Sequence, residues 1–593
     1  MTGGKPTWPG RGGSGVEQEE RVASRLSQRT QDSALVLDVD RVAARALLFD
    51  MVEGVPRFVA AAVATAGPTP EGDPAAAIPR VLRDLEEQTG RALLEGEELI
   101  TPQRPNGDGI DTVYLTGLPV PPIRVAVVAL GESHLARLVA AAARRTMTVV
   151  AEAARDLAGE SGGLSAVAVQ EWLRLADPEV VVLVGGGAGA EDWTVALDAI
   201  GDAARDGVLR QGIVIADAAR QQEAAAALGT VLELSGIAPD EAAATEIAAA
   251  LEGELRGAYL RRVREAEGPR LLASAAVVDR PVAVQAVAAF LNRRMGRNVV
   301  AVVSSEGTVL QAAVGGRGAA LHRAEWDLST GVRSLMQIPA DQVVRWLPMR
   351  ASLDEVADWI LNRALRPHTA LEARADRVMA AALYRELLAR AMREAGLGDQ
   401  PDVDLIAAGP CLVAGDPVLT LLALLDGVQP DPASGVVSIG VDLEGLMAAV
   451  GALATGDPAY AREVAEQDLL APLASCVTIT GTAPEGVLAV RGELRRPSGE
   501  STRFSVPVGS LHRLPIGEGE AGTLVLEPEP GFAVGRRAAG APVHLEVDRD
   551  IFGGELGIII DARGRPVTLP DDPAARVARL TAWLTDLGMP AEG

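Results

Sequence analysis

The sequence predicts an α/β fold built from two related halves, with an all-β module added at the C-terminal end. A three-stranded antiparallel meander opens the ordered part of the chain, and units of strand, glycine loop and helix follow it. A second meander begins about 260 residues later, which indicates an internal duplication. From about residue 470 the apolar segments are short, alternating and separated by Gly/Pro turns, a pattern typical of a separate β module.

These patterns predict five regions along the chain. The leader is rich in Gly, Pro and polar residues and is expected to be a disordered arm. Each predicted lobe contains one of the two meanders. The predicted regions are a disordered arm at 1–31, a first lobe at 32–270, a second lobe at 271–469, a β-rich module at 470–570 and a C-terminal amphipathic helix at 571–593.

The C-terminal helix is predicted from one apolar stripe. Val577, Leu580, Trp583, Leu584 and Leu587 share a face at helical spacing. Because most helices gain stability by packing such a face, we expect it to dock on the chain's own domain and not on a partner.

Composition excludes several classes of function. The 593 residues carry a net charge of −25, which repels phosphate backbones and anionic lipid, so neither nucleic acid nor a membrane is an expected partner. Lys5 is the only lysine and lies in the leader. This excludes Schiff-base enzymes, Walker-A NTPases and ordinary protein kinases, all of which need a structured lysine.

The remaining composition points to a reducing compartment. Two cysteines and five isolated histidines predict neither a disulfide framework nor a zinc site. No apolar run reaches the length of a membrane helix, and the leader has no apolar stretch of the kind found in signal peptides. A cytoplasmic protein is therefore expected.

The first meander carries residues that could bind a nucleotide. Asp38 and Asp40 end the first strand, and Arg45 begins the second. A hairpin of this kind can hold phosphates through backbone N–H groups, with an acid binding Mg²⁺ and a cation on the phosphates. These residues resemble the first hairpin of the actin-like ATPase superfamily, which carries Asp-x-Gly, then Ser/Thr and a Lys.

The closer resemblance is to the MutL-type accessory protein of glutamate mutase, which opens on Asp-Val-Gly-Ser-Thr-x-Thr-Lys-Ala. Asp38 and Val39 match this motif, whereas Asp40 replaces the glycine and Arg45 the lysine. The resemblance covers most of the first 455 residues, through the segments 124–150, 177–187 and 441–454. It implies an actin-like, two-lobed fold with a duplicated ribonuclease-H-like core. It also implies a role as accessory or reactivation factor for adenosylcobalamin-dependent carbon-skeleton mutases.

All three phosphate loops depart from the family pattern. Asp40 would bring a negative charge to the phosphates, and like charges about 4 Å apart repel by roughly 4 kcal/mol near a protein surface. In the second hairpin, Thr308 can be placed on either family Thr, which leaves Val302 or Val303 where an Asp belongs. In the third loop Gly409 is the one glycine that remains. We therefore expect the fold to be kept and ATP hydrolysis to be lost.

A glycine-rich loop is the other candidate ligand site. The strand at 179–184 runs into Gly185, Gly186, Gly187 and Gly189, and a helix N-terminus after such a loop can bind an anion. The alternative is a tight turn in a chain rich in Ala and Gly. A weaker hypothesis makes this loop the site of a conventional metabolic enzyme.

The sequence thus predicts a non-catalytic accessory or scaffold protein that binds a protein partner, for which the resemblance implies a subunit of a cobalamin-dependent mutase. No cofactor is expected. The alternative is an active ATPase that reactivates or assembles such a mutase, with ATP bound and Mg²⁺ held by Asp38. The residues that would contact the nucleotide are Asp38, Asp40, Arg45, Gly185, Gly186, Gly187, Gly189, Thr308 and Gly409.

Overall fold

The computed structural model describes most of the chain between residues 32 and 590. The segments outside the description are 1–31, 40–42, 66–73, 118–119, 121, 131–132, 145, 154–163, 186–188, 208, 239–243, 266–274, 305–307, 315–316, 324–337, 366–370, 410–415 and 591–593. The chain forms two compact units. The first comprises Met1–Gly117, Pro269–Leu321 and Glu325–Gly593, and the second comprises Leu118–Gly268 and His322–Ala324.

The described strands follow in chain order. They are β1 (Ala34–Val39), β2 (Ala43–Val52), β3 (Val55–Thr65), β4 (Leu94–Glu95), β5 (Glu98–Leu99), β6 (Thr112–Gly117), β7 (Ile123–Ala129), β8 (Thr148–Ala153), β9 (Val180–Val184), β10 (Gln211–Ile215), β11 (Glu233–Ile237), β12 (Ala276–Val278), β13 (Val299–Ser304), β14 (Thr308–Val314), β15 (Arg317–Arg323), β16 (Leu405–Ala408), β17 (Val436–Val441), β18 (Ala471–Thr480), β19 (Leu488–Arg495), β20 (Ser501–Pro507), β21 (Leu511–Leu514), β22 (Gly522–Pro528), β23 (Ala533–Val534), β24 (Val543–Val547) and β25 (Gly557–Asp561).

The described α-helices are numbered separately. They are α1 (Ile78–Thr89), α2 (Ser133–Ala143), α3 (Ala166–Ala176), α4 (Ala190–Arg205), α5 (Ala218–Leu228), α6 (Ala244–Glu265), α7 (Arg280–Met295), α8 (Ala340–Val344), α9 (Leu353–Leu365), α10 (Arg374–Glu394), α11 (Pro417–Val428), α12 (Met447–Gly456), α13 (Pro458–Asp468) and α14 (Pro573–Asp586).

Several helix starts are specified by an aspartate. Asp217, Asp416, Asp457 and Asp572 each accept a backbone N–H from the first turn of the helix that follows. In α11, α13 and α14 a proline also occupies one of the first two helical positions, where its missing N–H costs nothing.

The first unit contains the same sheet topology twice. In the first repeat the strand order is β3-β2-β1-β6-β12, with an antiparallel meander on one side and β6 and β12 parallel to β1 and to each other on the other side. In the second repeat the order is β15-β14-β13-β16-β17, again a hairpin followed by two parallel strands. The duplication expected from the two meanders is present, and the mixed α/β class is confirmed.

Two helices pack between the repeats. Helix α7 follows the last strand of the first repeat, and α12 follows the last strand of the second. Their buried residues share one core with apolar residues of both sheets, such as Val36 and Val299. A side chain at Gly451 of α12 would overlap the backbone of Ala283 in α7, so glycine is required for this close approach.

The C-terminal strands extend the second sheet. Strand β18 pairs antiparallel with β17, β25 pairs parallel with β18, and β21 pairs with β25. A separate four-stranded sheet, β20-β19-β22-β24, shares an apolar core with this extension, with Val477 and Ile560 on one side and Leu494 and Leu526 on the other. A separate all-β module is therefore not confirmed, because its first strand completes the sheet of the second repeat.

The C-terminal helix docks as its apolar stripe predicts. In α14 and just beyond it, Leu580, Trp583, Leu584 and Leu587 are buried in the core that also contains α10 and α11. The helix therefore packs on its own chain.

The second unit is a parallel α/β domain. Its strand order is β8-β7-β9-β10-β11, and every pair in it is parallel. Its core combines these strands with apolar residues of α3, α4 and α5. The α/β character that the strand, glycine loop and helix units predict is thus present here as well.

We expect Gly451→Ala to destabilise the first unit, because the new methyl group would push α12 away from α7. A loss of about 1–3 kcal/mol in the free energy of unfolding is expected by urea denaturation. The matched control is Gly253→Ala in α6, where a side chain meets open space. The control should gain up to about 1 kcal/mol from helix propensity. Equal effects of the two substitutions would contradict the close packing of α7 and α12.

Candidate functional site

Asp38 lies on β1, where it is opposite Arg45 of β2 and Thr116 of β6 in the strand registers. It is 7% exposed. The apolar run ending in an acid correctly predicts a buried strand with a carboxylate near its end. A buried carboxylate is costly unless a cation or several N–H groups compensate it.

The compensation comes from two arginines. Arg280 begins α7, is itself buried, and its Nη2 donates to Asp38 Oδ1 at 2.7 Å. Arg45 Nη1 lies 4.0 Å from Asp38 Oδ2. These three residues are called here the Asp38 cluster. The sequence predicts Asp38 and Arg45 as site residues, whereas nothing in the local pattern around Arg280 indicates that it belongs to the site.

Arg45 also reaches the second repeat. Its guanidinium donates to the carbonyl oxygen of Glu444 and, at 3.4 Å, to that of Gly445. A side chain at Gly445 would overlap the Arg45 guanidinium, and its φ of 68° also favours glycine. The Arg45 guanidinium is therefore committed to contacts within the protein.

A second buried acid, Asp442, lies in the same loop as Gly445. Its Oδ2 accepts the Met447 N–H at 2.6 Å, and it has no measurable exposure. Burial raises the pKa of Asp442 to about 6, although N–H donors of Leu446 and Met447 and the charge of Arg45 act in the opposite direction. Within the described part of the chain, its Oδ1 has no hydrogen-bond partner. The sequence signal is an acid directly after a buried strand.

The other predicted phosphate loops hold apolar side chains or engaged backbone groups. Val302 and Val303 are buried on β13, and Thr308 pairs with Ser304 in the hairpin register. The Gly409 N–H donates to the Val302 carbonyl oxygen at 2.7 Å, so this donor is already used. Asp40 of the first hairpin lies outside the described residues.

The glycine-rich loop belongs to the second unit. The Gly185 N–H donates to the Ile215 carbonyl oxygen at 3.0 Å, and a side chain at 185 would overlap the Trp193 ring. Close packing therefore accounts for this glycine.

Gly189 precedes α4, whose first turn carries Glu191 and Asp192. Two carboxylates at this helix start disfavour a bound anion. Gly186 and Gly187 lie outside the described residues.

These residues do not fit a magnesium–nucleotide complex as the family resemblance would place it. The acid that would hold Mg²⁺ is engaged by Arg280, and the cation that would contact the phosphates donates to two carbonyl oxygens. Among the described residues, no group of three or more His, Cys, Asp or Glu side chains could hold a metal ion. No described helix has the length and hydropathy needed to cross a membrane.

Comparison with solved structures gives distant similarities. The chain is similar to a nucleotide-free acetone carboxylase, with 11% identity over 80% of this chain and 81% of that chain, at a TM-score of 0.30. It is similar to a ROK family glucokinase from Streptomyces griseus in complex with glucose and AMPPNP, with 11% identity, coverages of 71% and 97%, and a TM-score of 0.27. It is also similar to a xylulose kinase from Bifidobacterium adolescentis, with 11% identity, coverages of 75% and 96%, and a TM-score of 0.25. No protein-family model and no curated protein sequence matches the chain.

We expect Asp38→Ala to lower the free energy of unfolding by about 3–5 kcal/mol, because it removes a buried carboxylate from beside Arg280. Urea denaturation measures the loss. The matched control is Asp206→Ala, whose exposed carboxylate lies 3.3 Å from Arg174. The control should change stability by less than about 1 kcal/mol. Small and equal losses in both variants would show that the Asp38 cluster contributes little to the fold.

Asp442 should make stability depend on pH. Its pKa is about 6 in the folded protein, above the usual value, so the folded state favours the protonated acid. The stabilising contribution of protonated Asp442 to the free energy of unfolding is therefore fully present below about pH 4 and is lost as the pH rises through 6. Between these two pH values, the free energy of unfolding of Asp442→Asn should therefore fall by about 3 kcal/mol less than that of the wild type.

Urea denaturation at a series of pH values tests this expectation. Asp572→Asn is the control, since Asp572 caps α14 at an exposed position. The same pH profile in the wild type and in Asp442→Asn would contradict the assignment.

Proposed function

We propose that this chain is a non-catalytic actin-like accessory or scaffold protein of the MutL type, which acts by binding a protein partner. The observation that carries the proposal is the Asp38 cluster. The acid and the cation that an ATPase of this superfamily would use on Mg²⁺ and phosphate are both committed to contacts within the protein.

The energetics favour this assignment. To bind Mg²⁺, Asp38 would have to give up its buried ion pair with Arg280, whose Nη2 lies 2.7 Å from Asp38 Oδ1. Breaking a buried ion pair costs about 3–5 kcal/mol. A cost of this size weakens a ligand's affinity by roughly a hundredfold to several thousandfold. Arg45 would in addition have to give up the carbonyl oxygens of Glu444 and Gly445.

The actin-like assignment is supported by the doubled strand order and by the resemblance of the Asp38 hairpin. Each repeat has a meander followed by two parallel strands, and the last strand of each leads into one of the two packed helices. The same resemblance makes a subunit of an adenosylcobalamin-dependent mutase the partner we propose. Fold similarity by itself does not determine function, so this partner needs a direct test.

An active ATPase is the second candidate, and Asp442 is the observation that favours it. This acid is buried near Arg45, and its Oδ1 has no hydrogen-bond partner among the described residues. Such an oxygen could orient a water molecule or a Mg²⁺ ion. If the protein hydrolyses ATP, Asp442→Asn should abolish the activity.

Titration with Mg-ATP distinguishes the two candidates. A ligand at a hundred times its Kd would add about 3 kcal/mol of stability, so binding of Mg-ATP would raise the melting temperature measurably. Because we propose that the protein does not bind it, we expect no such rise in the intact chain and no phosphate release. Asp38→Asn, compared with the wild type under the same conditions, is the matched variant. A clear rise in the wild type that disappears in this variant would refute the non-catalytic assignment and establish the ATPase.

The partner is tested with the full chain, since the strands after residue 470 belong to the sheet of the second repeat and cannot be deleted cleanly. Purified mutase subunits loaded with adenosylcobalamin should bind the protein without added nucleotide. Analytical ultracentrifugation measures the complex. Absence of a complex, or a complex that forms only with ATP, would count against the proposed role.

A further inference from the structure

A pocket lies in the first unit between the start of α14 and the segment that joins α8 to α9. Its volume is about 330 Å³, which is within the range of about 300–1,000 Å³ typical of small-molecule sites. The lining combines apolar side chains with two arginines, one serine and one glutamate. Such a combination suits a ligand that has both an apolar and a charged part.

The apolar part of the lining comes from both sides of the pocket. Val344, Met349 and Ala351 belong to one side, and they also pack against the main core of this unit. Pro573 and Val577 of α14 belong to the other side. Val577 is the first residue of the apolar stripe of α14, yet it is only half-buried, whereas the later residues of the stripe are buried in the core. The pocket therefore leaves apolar surface that an apolar ligand group would remove from water.

Local hydrogen bonds fix both sides of the pocket. Ser352 and Glu355 form a capping box at the start of α9, in which the Ser352 N–H donates to Glu355 Oε2 at 2.7 Å and the Glu355 N–H donates to Ser352 Oγ at 3.2 Å. Asp572 caps α14. One turn beyond the pocket, Thr581 Oγ1 of α14 donates to the Pro348 carbonyl oxygen at 3.3 Å. The protein's own contacts therefore hold the two sides in place.

The two arginines of the lining have no carboxylate partner within the described part of the chain. Arg350 is exposed, lies just before α9, and makes no hydrogen bond or ion pair with a described residue. Arg576 lies near the start of α14, and its guanidinium makes one long hydrogen bond, from Nη1 to the Asp571 carbonyl oxygen at 3.5 Å. The positive end of the helix dipole disfavours a cation at this place, and an anion beside Arg576 would relieve the repulsion.

Glu355 is the one carboxylate among the residues that line the pocket. Its Oε2 accepts the hydroxyl of Ser352 at 2.9 Å as well as the Ser352 N–H. These two hydrogen bonds lower the pKa of Glu355, so it stays ionised at neutral pH. The lining therefore carries two positive charges and one negative charge, a balance that favours a ligand with a single negative charge.

We propose that this pocket binds a small amphipathic monocarboxylate of the medium-chain fatty acid class. The carboxylate would bind Arg350 and Arg576, whose planar guanidiniums match its geometry. The alkyl chain would cover Val344, Met349 and Val577, and each methylene that it buries raises the affinity about fourfold. The site is separate from the Asp38 cluster and does not rest on the function proposed above.

Isothermal titration calorimetry of the full chain with octanoate, octanamide and butyrate tests the proposal. Octanoate should bind to one site. Octanamide has the same alkyl chain without the charge and should bind about tenfold more weakly, because the charge-assisted hydrogen bonds are lost. Butyrate keeps the charge but has a shorter chain, so it should bind at least about tenfold more weakly than octanoate.

Substitutions in the lining should change the affinity for octanoate in opposite directions. Arg350→Gln and Arg576→Gln should each weaken octanoate binding about tenfold and leave octanamide binding unchanged. Both variants should fold, since neither arginine pairs with a described carboxylate. Glu355→Gln should tighten octanoate binding, because it removes a like charge and glutamine can also form the capping box. Arg579→Gln is the matched control on α14, where the ion pair with Glu485 lies outside the pocket lining, and it should keep the wild-type affinity.

A wild-type chain that does not bind octanoate, or that binds octanoate and octanamide equally, overturns the proposal. Octanoate binding that is as tight in both lining-arginine variants as in Arg579→Gln also overturns it. A crystal structure of the octanoate complex gives a second readout, in which we expect the carboxylate within hydrogen-bond distance of Arg350 or Arg576. Octanoate bound elsewhere on the chain refutes this site even if the calorimetric affinities are as expected.

Discussion

The carboxylate of Asp38 is buried inside the protein and must be neutralised there. Arg280 from the start of α7 and Arg45 from the neighbouring strand supply the positive charge. Arg280 is fixed because α7 packs tightly on α12, and Arg45 is fixed because it also donates to the loop before α12. The same charges that stabilise the join between the two repeats thus occupy the groups a nucleotide would need, which is why the proposed function is binding and not hydrolysis.

The architecture around this cluster is a duplicated sheet with unequal additions. In the first repeat, 118–268 are inserted between the two parallel strands and form their own parallel sheet. In the second repeat, the C-terminal strands continue the sheet, and a further four-stranded sheet covers them. Buried ion pairs of Asp426 and Asp561 with Arg563 and Arg565 join these strands to α11. The C-terminal region is therefore part of the main core.

Sequence patterns located most elements because hydrophobic periodicity is a local property. Both meanders, the parallel strands, the internal duplication and the apolar face of α14 are all present where the pattern predicts them. Only part of the candidate site could be predicted from such local patterns. Asp38 and Arg45 stood out by position, but Arg280 is separated from Asp38 by 242 residues, and nothing local marks it as a partner. The sequence predicts a ligand loop at Gly185, whereas in the structure the nearby Trp193 ring leaves no room for a side chain at this position.

By itself, the sequence determined which segments form strands and helices, which faces are apolar, and that arginine is the only strongly basic residue type after Lys5. The tertiary structure decided which charges meet. It placed Arg280 against Asp38, turned the expected β module into an extension of the second sheet, and brought Arg563 and Arg565 to Asp426 and Asp561 beside Trp583 of α14. The reason is physical. Periodicity reports burial along a single element, but the state of a buried charge depends on partners that distant parts of the chain bring to it.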